Sequence, residues 1–330
     1  MSGLETGTVT RMIDGPTFER LRAPARRQGV RHGLFCLAAL LLAAWPCAAA
    51  PKAEPHGQPI IAGQSLSISS AVLGAPREIN VWTPPDYAKS KRSYPVVYLL
   101  DGGREQDFSH IAGLAQLSAL SGTFGPFIVV GVRSEARRSE LAPPAADPRY
   151  GKTFPDAGHD AAFRDFLRRE VIPYVDSHYR AGPRRVLMGE SLAGLFVVDT
   201  FLTEPTMFDD YVAVSPSLWW DDQAAGRSAA ARLRARGRTG NRLYLTIANE
   251  GEATQSGMDA LVAALKSAPT GAVTWKYIDR SREETHATIL HPAALDALRW
   301  LFPVAEPDYG PSPWYYLNSG AAADPRGAGR

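Results

Sequence analysis

The sequence predicts an α/β protein with one mostly parallel, doubly wound sheet and helices on both faces. Three observations point there. Short β-branched apolar runs alternate with longer helix-period stretches, the pattern of right-handed strand–helix–strand crossovers. The runs VVYLL, FIVVGV and LYLTIA are apolar on both faces, as suits strands covered on both sides by helices. One apolar strand, Val186 to Met188, runs straight into Gly189-Glu190-Ser191-Leu192-Ala193-Gly194, and a helical pattern follows at once.

Composition narrows the classes. The 330 residues are 45% apolar and 21% charged, enough apolar material to bury a core and exclude chain-wide disorder. A net charge of +2 excludes a nucleic-acid binder held by a broad basic face. Only one long apolar run exists, which excludes a polytopic membrane protein. The two cysteines, Cys36 and Cys47, make neither a disulfide framework nor a multi-ligand zinc site.

Both cysteines fall in a candidate leader, residues 1–50. Arg26, Arg27 and Arg31 precede the apolar run Leu34 to Trp45, and Ala48, Ala49 and Ala50 follow. A positive n-region, a short h-region and an alanine-rich exit mark a secretory signal peptide, so the expected location is periplasmic or secreted. The run is too short to span a hydrocarbon core of about 30 Å comfortably. The leader carries six arginines and three acids; its removal leaves 30 basic and 31 acidic residues, net −1, and no cysteine. Residues 51–62 then form a loose lead-in, 63–302 the folded domain, and 303–330 a Pro/Gly/Ala-rich tail.

Within the domain the predicted strands are Leu66–Val72, Glu78–Thr83, Val96–Leu100, Phe127–Val132, Arg185–Met188, Asp210–Val214, Leu243–Ala248 and Val273–Ile278. The first two lack an intervening helix and are expected to form an antiparallel edge. Predicted helices are Phe108–Leu120, Ala161–His178, Leu192–Leu202, Ser256–Ser267 and Pro292–Leu301. In Ala161–His178, the residues Phe163, Phe166, Leu167, Val171 and Tyr174 recur at spacings of three and four, which makes one face apolar.

The chemistry-bearing signal is the strand–turn–helix at 184–195. So tight a turn needs small residues two before and two after the serine. Gly189 and Ala193 meet that need. The elbow exposes the Ser191 hydroxyl at the carboxyl edge of the sheet, beside a helix N-terminus. A serine hydroxyl needs a base. Of the two histidines after Ser191, His286 lies in the polar loop SREETHATILHP, while His291 directly precedes Pro292 at the start of a helix. The acid follows the penultimate strand in LYLTIANEGEATQ, where Glu250 comes first off the strand and Glu252 is the alternative. The strand Val96–Leu100 ends in Asp101-Gly102-Gly103-Arg104. A backbone N–H from Gly103 or Arg104 and that of Leu192 are the candidate oxyanion donors. Trp219 and Trp220 are candidate pocket walls. No metal or organic cofactor is implied.

These stretches together resemble the esterase D-like branch of the α/β hydrolases (the Putative esterase family), and within it the periplasmic siderophore-ester hydrolases. The likeness rests on REINVWTPPDY, YPVVYLLDGG, FIVVGV, FRDFLRREVIPYVDSHYR, MGESLAGLFVVDTFLTEPTMFDDYVAVSPSLWWDD, NEGE and ETHATILHPAALDALRWLF, most of residues 60–302. It implies an α/β-hydrolase fold, Ser191 as nucleophile, His286 as base, Glu250 as acid and a small-molecule ester as the partner. In RSEARRSELAPP, where such relatives often carry more arginines, it makes Arg133, Arg137 and Arg138 candidate contacts for an anionic substrate, Arg137 foremost. Three functions follow as alternatives. They are a serine esterase cleaving siderophore or other acyl esters, an acyltransferase on the same Ser–His site, and a non-catalytic binding protein on that fold.

Overall fold

The computed structural model describes residues 58–305, Arg238 excepted. The leader, most of the lead-in and nearly all of the tail lie outside the described residues. Among the described residues no helix is long and apolar enough to cross a membrane.

Eight strands form one sheet: β1 (Gln64–Ser69), β2 (Pro76–Trp82), β3 (Tyr94–Leu100), β4 (Ile128–Val132), β5 (Ala181–Glu190), β6 (Asp210–Val214), β7 (Arg242–Ile247) and β8 (Thr274–Asp279). Their spatial order is β1-β2-β4-β3-β5-β6-β7-β8. The β1–β2 and β2–β4 pairs are antiparallel, and every pair from β4 to β8 is parallel. The antiparallel edge expected for the first two strands is present.

The sheet separates two cores. Along β3, Val96, Tyr98 and Leu100 enter one and Val97 and Leu99 the other, as the period-2 alternation of a strand requires. One face is covered by α1 (Phe108–Ser121) and α9 (Leu290–Leu301). The other carries α4 (Asp160–Phe166), α5 (Ile172–His178), α6 (Leu192–Thr203), α7 (Trp220–Ala235) and α8 (Glu252–Ser267). Two short helices, α2 (Arg137–Leu141) and α3 (Pro148–Thr153), lie between β4 and α4.

Besides α2 and α3, which the sequence reading does not include, two features depart from it. The stretch expected as one helix, Ala161–His178, is α4 and α5 joined through a π turn, Leu167–Val171, in which the Ile172 N–H reaches the Leu167 carbonyl. Pro173 lies at the start of α5. It lacks the N–H that would complete the ordinary ladder, and the π turn absorbs the extra residue. Helix α7 was not expected. Its sequence WDDQAAGRSAAARLRA is polar or small, and it buries only Trp220, Asp221, Gly226, Ala229 and Leu233. A Cβ on Gly226 would come within 2.5 Å of the Gly257 carbonyl oxygen on α8. Close backbone approach, not a leucine stripe, therefore seats this helix.

Candidate active site

The elbow is built as the sequence suggests. Strand β5 ends at Glu190 and α6 begins at Leu192. Between them Ser191 takes φ 60°, ψ −120°, a strained conformation for a residue with a Cβ. The Ser191 N–H donates to the Val214 carbonyl at 3.0 Å, and the Leu195 N–H donates to the Ser191 carbonyl at 2.9 Å. A Cβ on Gly189 would lie 2.7 Å from the carbonyl carbon and the Cβ of Ala193, so the residue two before the serine has to be glycine. Leu192 is the first residue of α6, so its N–H has no carbonyl partner within the helix.

His286 and Glu250 meet across two loops, with Nδ1 of His286 2.6 Å from Oε1 of Glu250. The loops are tied together just before this contact, by a parallel bridge between Asn249 and Thr285. There the Asn249 N–H donates to the Glu284 carbonyl at 3.0 Å. With Nδ1 facing the carboxylate, Nε2 is the ring nitrogen left for proton transfer. Glu252, the alternative acid, is the exposed first residue of α8. His291 lies in the first turn of α9 and pairs with His110 of α1, nitrogen to nitrogen at 3.2 Å.

Two serines in the loop after β6 bind this machinery without having been singled out. Ser215 has φ 40°; its hydroxyl donates to Oε1 of Glu250 and accepts the Ala248 N–H at 3.1 Å. Ser217 Oγ is 3.3 Å from Ser191 Oγ, and its N–H donates to the Ser191 carbonyl at 3.0 Å. The signal was the SPS triplet at the end of β6, the strand beside the elbow strand.

The turn after β3 also has strained geometry, with Asp101 at φ 51°. A Cβ on Gly102 would lie 2.3 Å from the Cα of Gly131. Gly102 donates its N–H to the Val132 carbonyl at 2.9 Å. The Gly103 N–H is held by the side-chain oxygen of Gln106 at 2.9 Å, and the Arg104 N–H by Glu78 at 3.0 Å. Of the two candidate donors, Gly103 therefore has the more easily displaced partner, a glutamine side chain.

The remaining candidates divide. Trp219 is half-buried and lines an open cavity of about 360 Å³ with Tyr150, Phe154, Thr153, Arg149 and Asp222. It follows Ser217 by two residues, so their Cα atoms are within about 7 Å. Trp220 is only 3% exposed and its Nε1–H donates to the Pro143 carbonyl at 3.0 Å. Trp220 nonetheless lines a second, smaller cavity of about 180 Å³ with Pro143, Leu195 and Asp221, apart from the one that Trp219 lines. Arg137 is paired with Asp101 at 2.7 Å, Arg133 with Glu78 at 3.2 Å and Arg138 with Asp156 at 3.3 Å.

Two carboxyls near the elbow are perturbed. Burial raises Glu190 to about 7; Asp107 and Glu250 push the same way, and His286 and Arg137 oppose them. Burial likewise raises Asp107 to about 6, with Asp101 adding to the rise and Arg137 and His291 opposing it. Among the described residues no group of three or more His, Cys, Asp or Glu side chains is arranged to hold a metal ion.

The chain is similar to proteins of known activity. It is 31% identical to the ferri-bacillibactin esterase BesA of Bacillus subtilis over 156 residues, 42% of this chain and 52% of the relative. Identity to the apo-salmochelin esterase of Escherichia coli is 28% over 197 residues, 52% and 60% of the two chains. The chain spans about half the length of the curated relatives it matches. An IroE-like serine hydrolase from Shewanella oneidensis superimposes with TM-score 0.63 at 28% identity, covering 73% of this chain and 80% of that one. The eight-stranded sheet is that of an α/β hydrolase. The model of the Putative esterase family matches residues 70–285, about two thirds of the chain, and the protein belongs to that family.

Proposed function

We propose that the protein is a serine carboxylic-ester hydrolase acting on small-molecule esters through an acyl-enzyme. One observation carries the reading: a strained serine at a strand–helix elbow shares a sheet edge with a histidine whose Nδ1 is 2.6 Å from a carboxylate. In this mechanism Ser191 attacks the ester carbonyl while Nε2 of His286 takes its proton. Glu250 fixes the imidazole tautomer and stabilises the imidazolium. The N–H of Leu192 and that of Gly103, released from Gln106, hold the oxyanion. His286 then protonates the departing alcohol, and a water deprotonated by the same ring resolves the acyl-enzyme. The names of the relatives support siderophore esters among the candidate substrates. The leader supports export to the periplasm or beyond.

Chromogenic esters of rising acyl length, beside a siderophore trilactone, test the reading in the presence of an added alcohol. Release of free acid as the main product is expected. Dominant transfer of the acyl group to the alcohol would instead make the enzyme an acyltransferase. Absence of turnover on every ester would make it a binding protein.

A further inference from the structure

Resting on the esterase reading, we propose that the site takes uncharged or cationic esters with a flat apolar group, and that its own carboxylates disfavour anionic ones.

The first observation is charge pairing. A polyanion binds where cations are uncompensated and able to fork onto its oxygens. Here Arg104 and Arg133 share Glu78 at 3.3 and 3.2 Å. Arg137 lies on Asp101 at 2.7 Å, Arg138 on Asp156 at 3.3 Å and Arg149 on Asp147 at 2.5 Å. Arg137, Arg138 and Arg149 thus each have a carboxylate of their own, while Arg104 and Arg133 divide one.

The second is the reverse imbalance at the nucleophile. Glu190 is the residue next to Ser191, and its Oε1 is buried with no hydrogen-bond partner among the described residues. Neither Glu190 nor Asp107 forms an ion pair among them. Glu190 faces His286, Asp107, Glu250 and Arg137; Asp107 faces Asp101, Arg137 and His291. Arg137 is the only arginine in that set and is already paired with Asp101. With Glu190 raised to about 7 and Asp107 to about 6, rejection of anions strengthens as pH rises through that interval.

The third is the cavity wall. Tyr150 stacks on Trp219, with centroids 6.2 Å apart and planes 23° from parallel, and Phe154 closes on Trp219 at 6.1 Å. The Tyr150 hydroxyl donates to the Trp219 carbonyl at 3.0 Å and accepts the Asp222 N–H at 3.2 Å. Asp221 accepts the N–H groups of Ala146 and Asp147 at 3.0 and 2.9 Å. These bonds fix α3, which bears Tyr150, and the residues just before it against the start of α7. The result is an open cavity whose aromatic wall, Tyr150, Phe154 and Trp219, offers a stacking surface to a flat apolar group.

Three phenyl benzoates differing only at the acyl ring para position (hydrogen, sulfonate, trimethylammonium) test this. The readout is the kcat/KM ratio at about pH 8, at low and high salt, so effects common to all three esters cancel. The sulfonate is expected to be at least about fivefold poorer than the neutral ester at low salt, with the gap closing as salt rises. Glu190→Gln is expected to narrow it, and Asp107→Asn provides the same check from α1's N-terminus. Equal or better turnover of the sulfonate, or a fall in its kcat/KM with added salt, overturns the charge assignment. If no ester turns over and a fluorophosphonate leaves Ser191 unlabelled, the esterase reading itself fails.

Discussion

Oε1 of Glu250 is 2.6 Å from Nδ1 of His286 and also accepts the hydroxyl of Ser215. One carboxylate oxygen thus links the β7 loop, the β8 loop and the end of β6. Glu250→Gln removes the charge that stabilises the imidazolium and favours the wrong tautomer. It is expected to lower kcat by about 10³-fold or more, while Glu252→Gln stays within about twofold. Steady-state kinetics on one chromogenic ester decides between the two glutamates.

Ser215→Ala leaves the triad side chains intact but frees Glu250 to rotate. A loss of about tenfold in kcat with little change in KM is expected, since orientation and not binding is disturbed.

Gly189→Ala places a methyl group 2.7 Å from backbone and side-chain carbons of Ala193. The elbow has to open to admit it. A stability loss of about 1–3 kcal/mol is expected, read by denaturant unfolding, with activity lost in parallel.

Burial alone would raise Glu78, but hydrogen bonds from Asn80, the Arg104 N–H and the Arg104 and Arg133 side chains outweigh it and lower the carboxyl to about 2. A folded-state value below the unfolded one means stability present above about pH 4.5 and lost as pH falls toward 2. Glu78→Gln should therefore melt lower than wild type at neutral pH, and the difference should shrink in acid. Glu190 has the opposite sign. Its value is raised from 4.5 to about 7, so its ionisation costs stability as pH rises through that interval. Glu190→Gln should melt higher than wild type above pH 7 and alike below 4.5.

The strands were legible because β-branched apolar runs and a fully covered parallel sheet leave little choice of element. The elbow was legible for a steric reason, since only small residues fit at 189 and 193. Helix α7 was not legible, because its contact with α8 is made by Gly226 against the Gly257 backbone, which leaves no apolar period to read. Trp219 and Trp220 are adjacent and chemically alike. Only the left-handed backbone at Asp221, Asp222 and Gln223 accompanies the turn that sets the half-buried Trp219 on one cavity and the nearly buried Trp220 on another. Ser215 escaped notice because its link to Glu250 spans 35 residues, and no local pattern records such a pairing.

Peptide mapping by mass spectrometry after fluorophosphonate treatment tests most directly that Ser191 is the activated nucleophile. Wild type is expected to carry the label on the peptide containing Ser191, Glu250→Gln to react more slowly, and Ser191→Ala to stay unlabelled. Equal labelling of wild type and Ser191→Ala would contradict it.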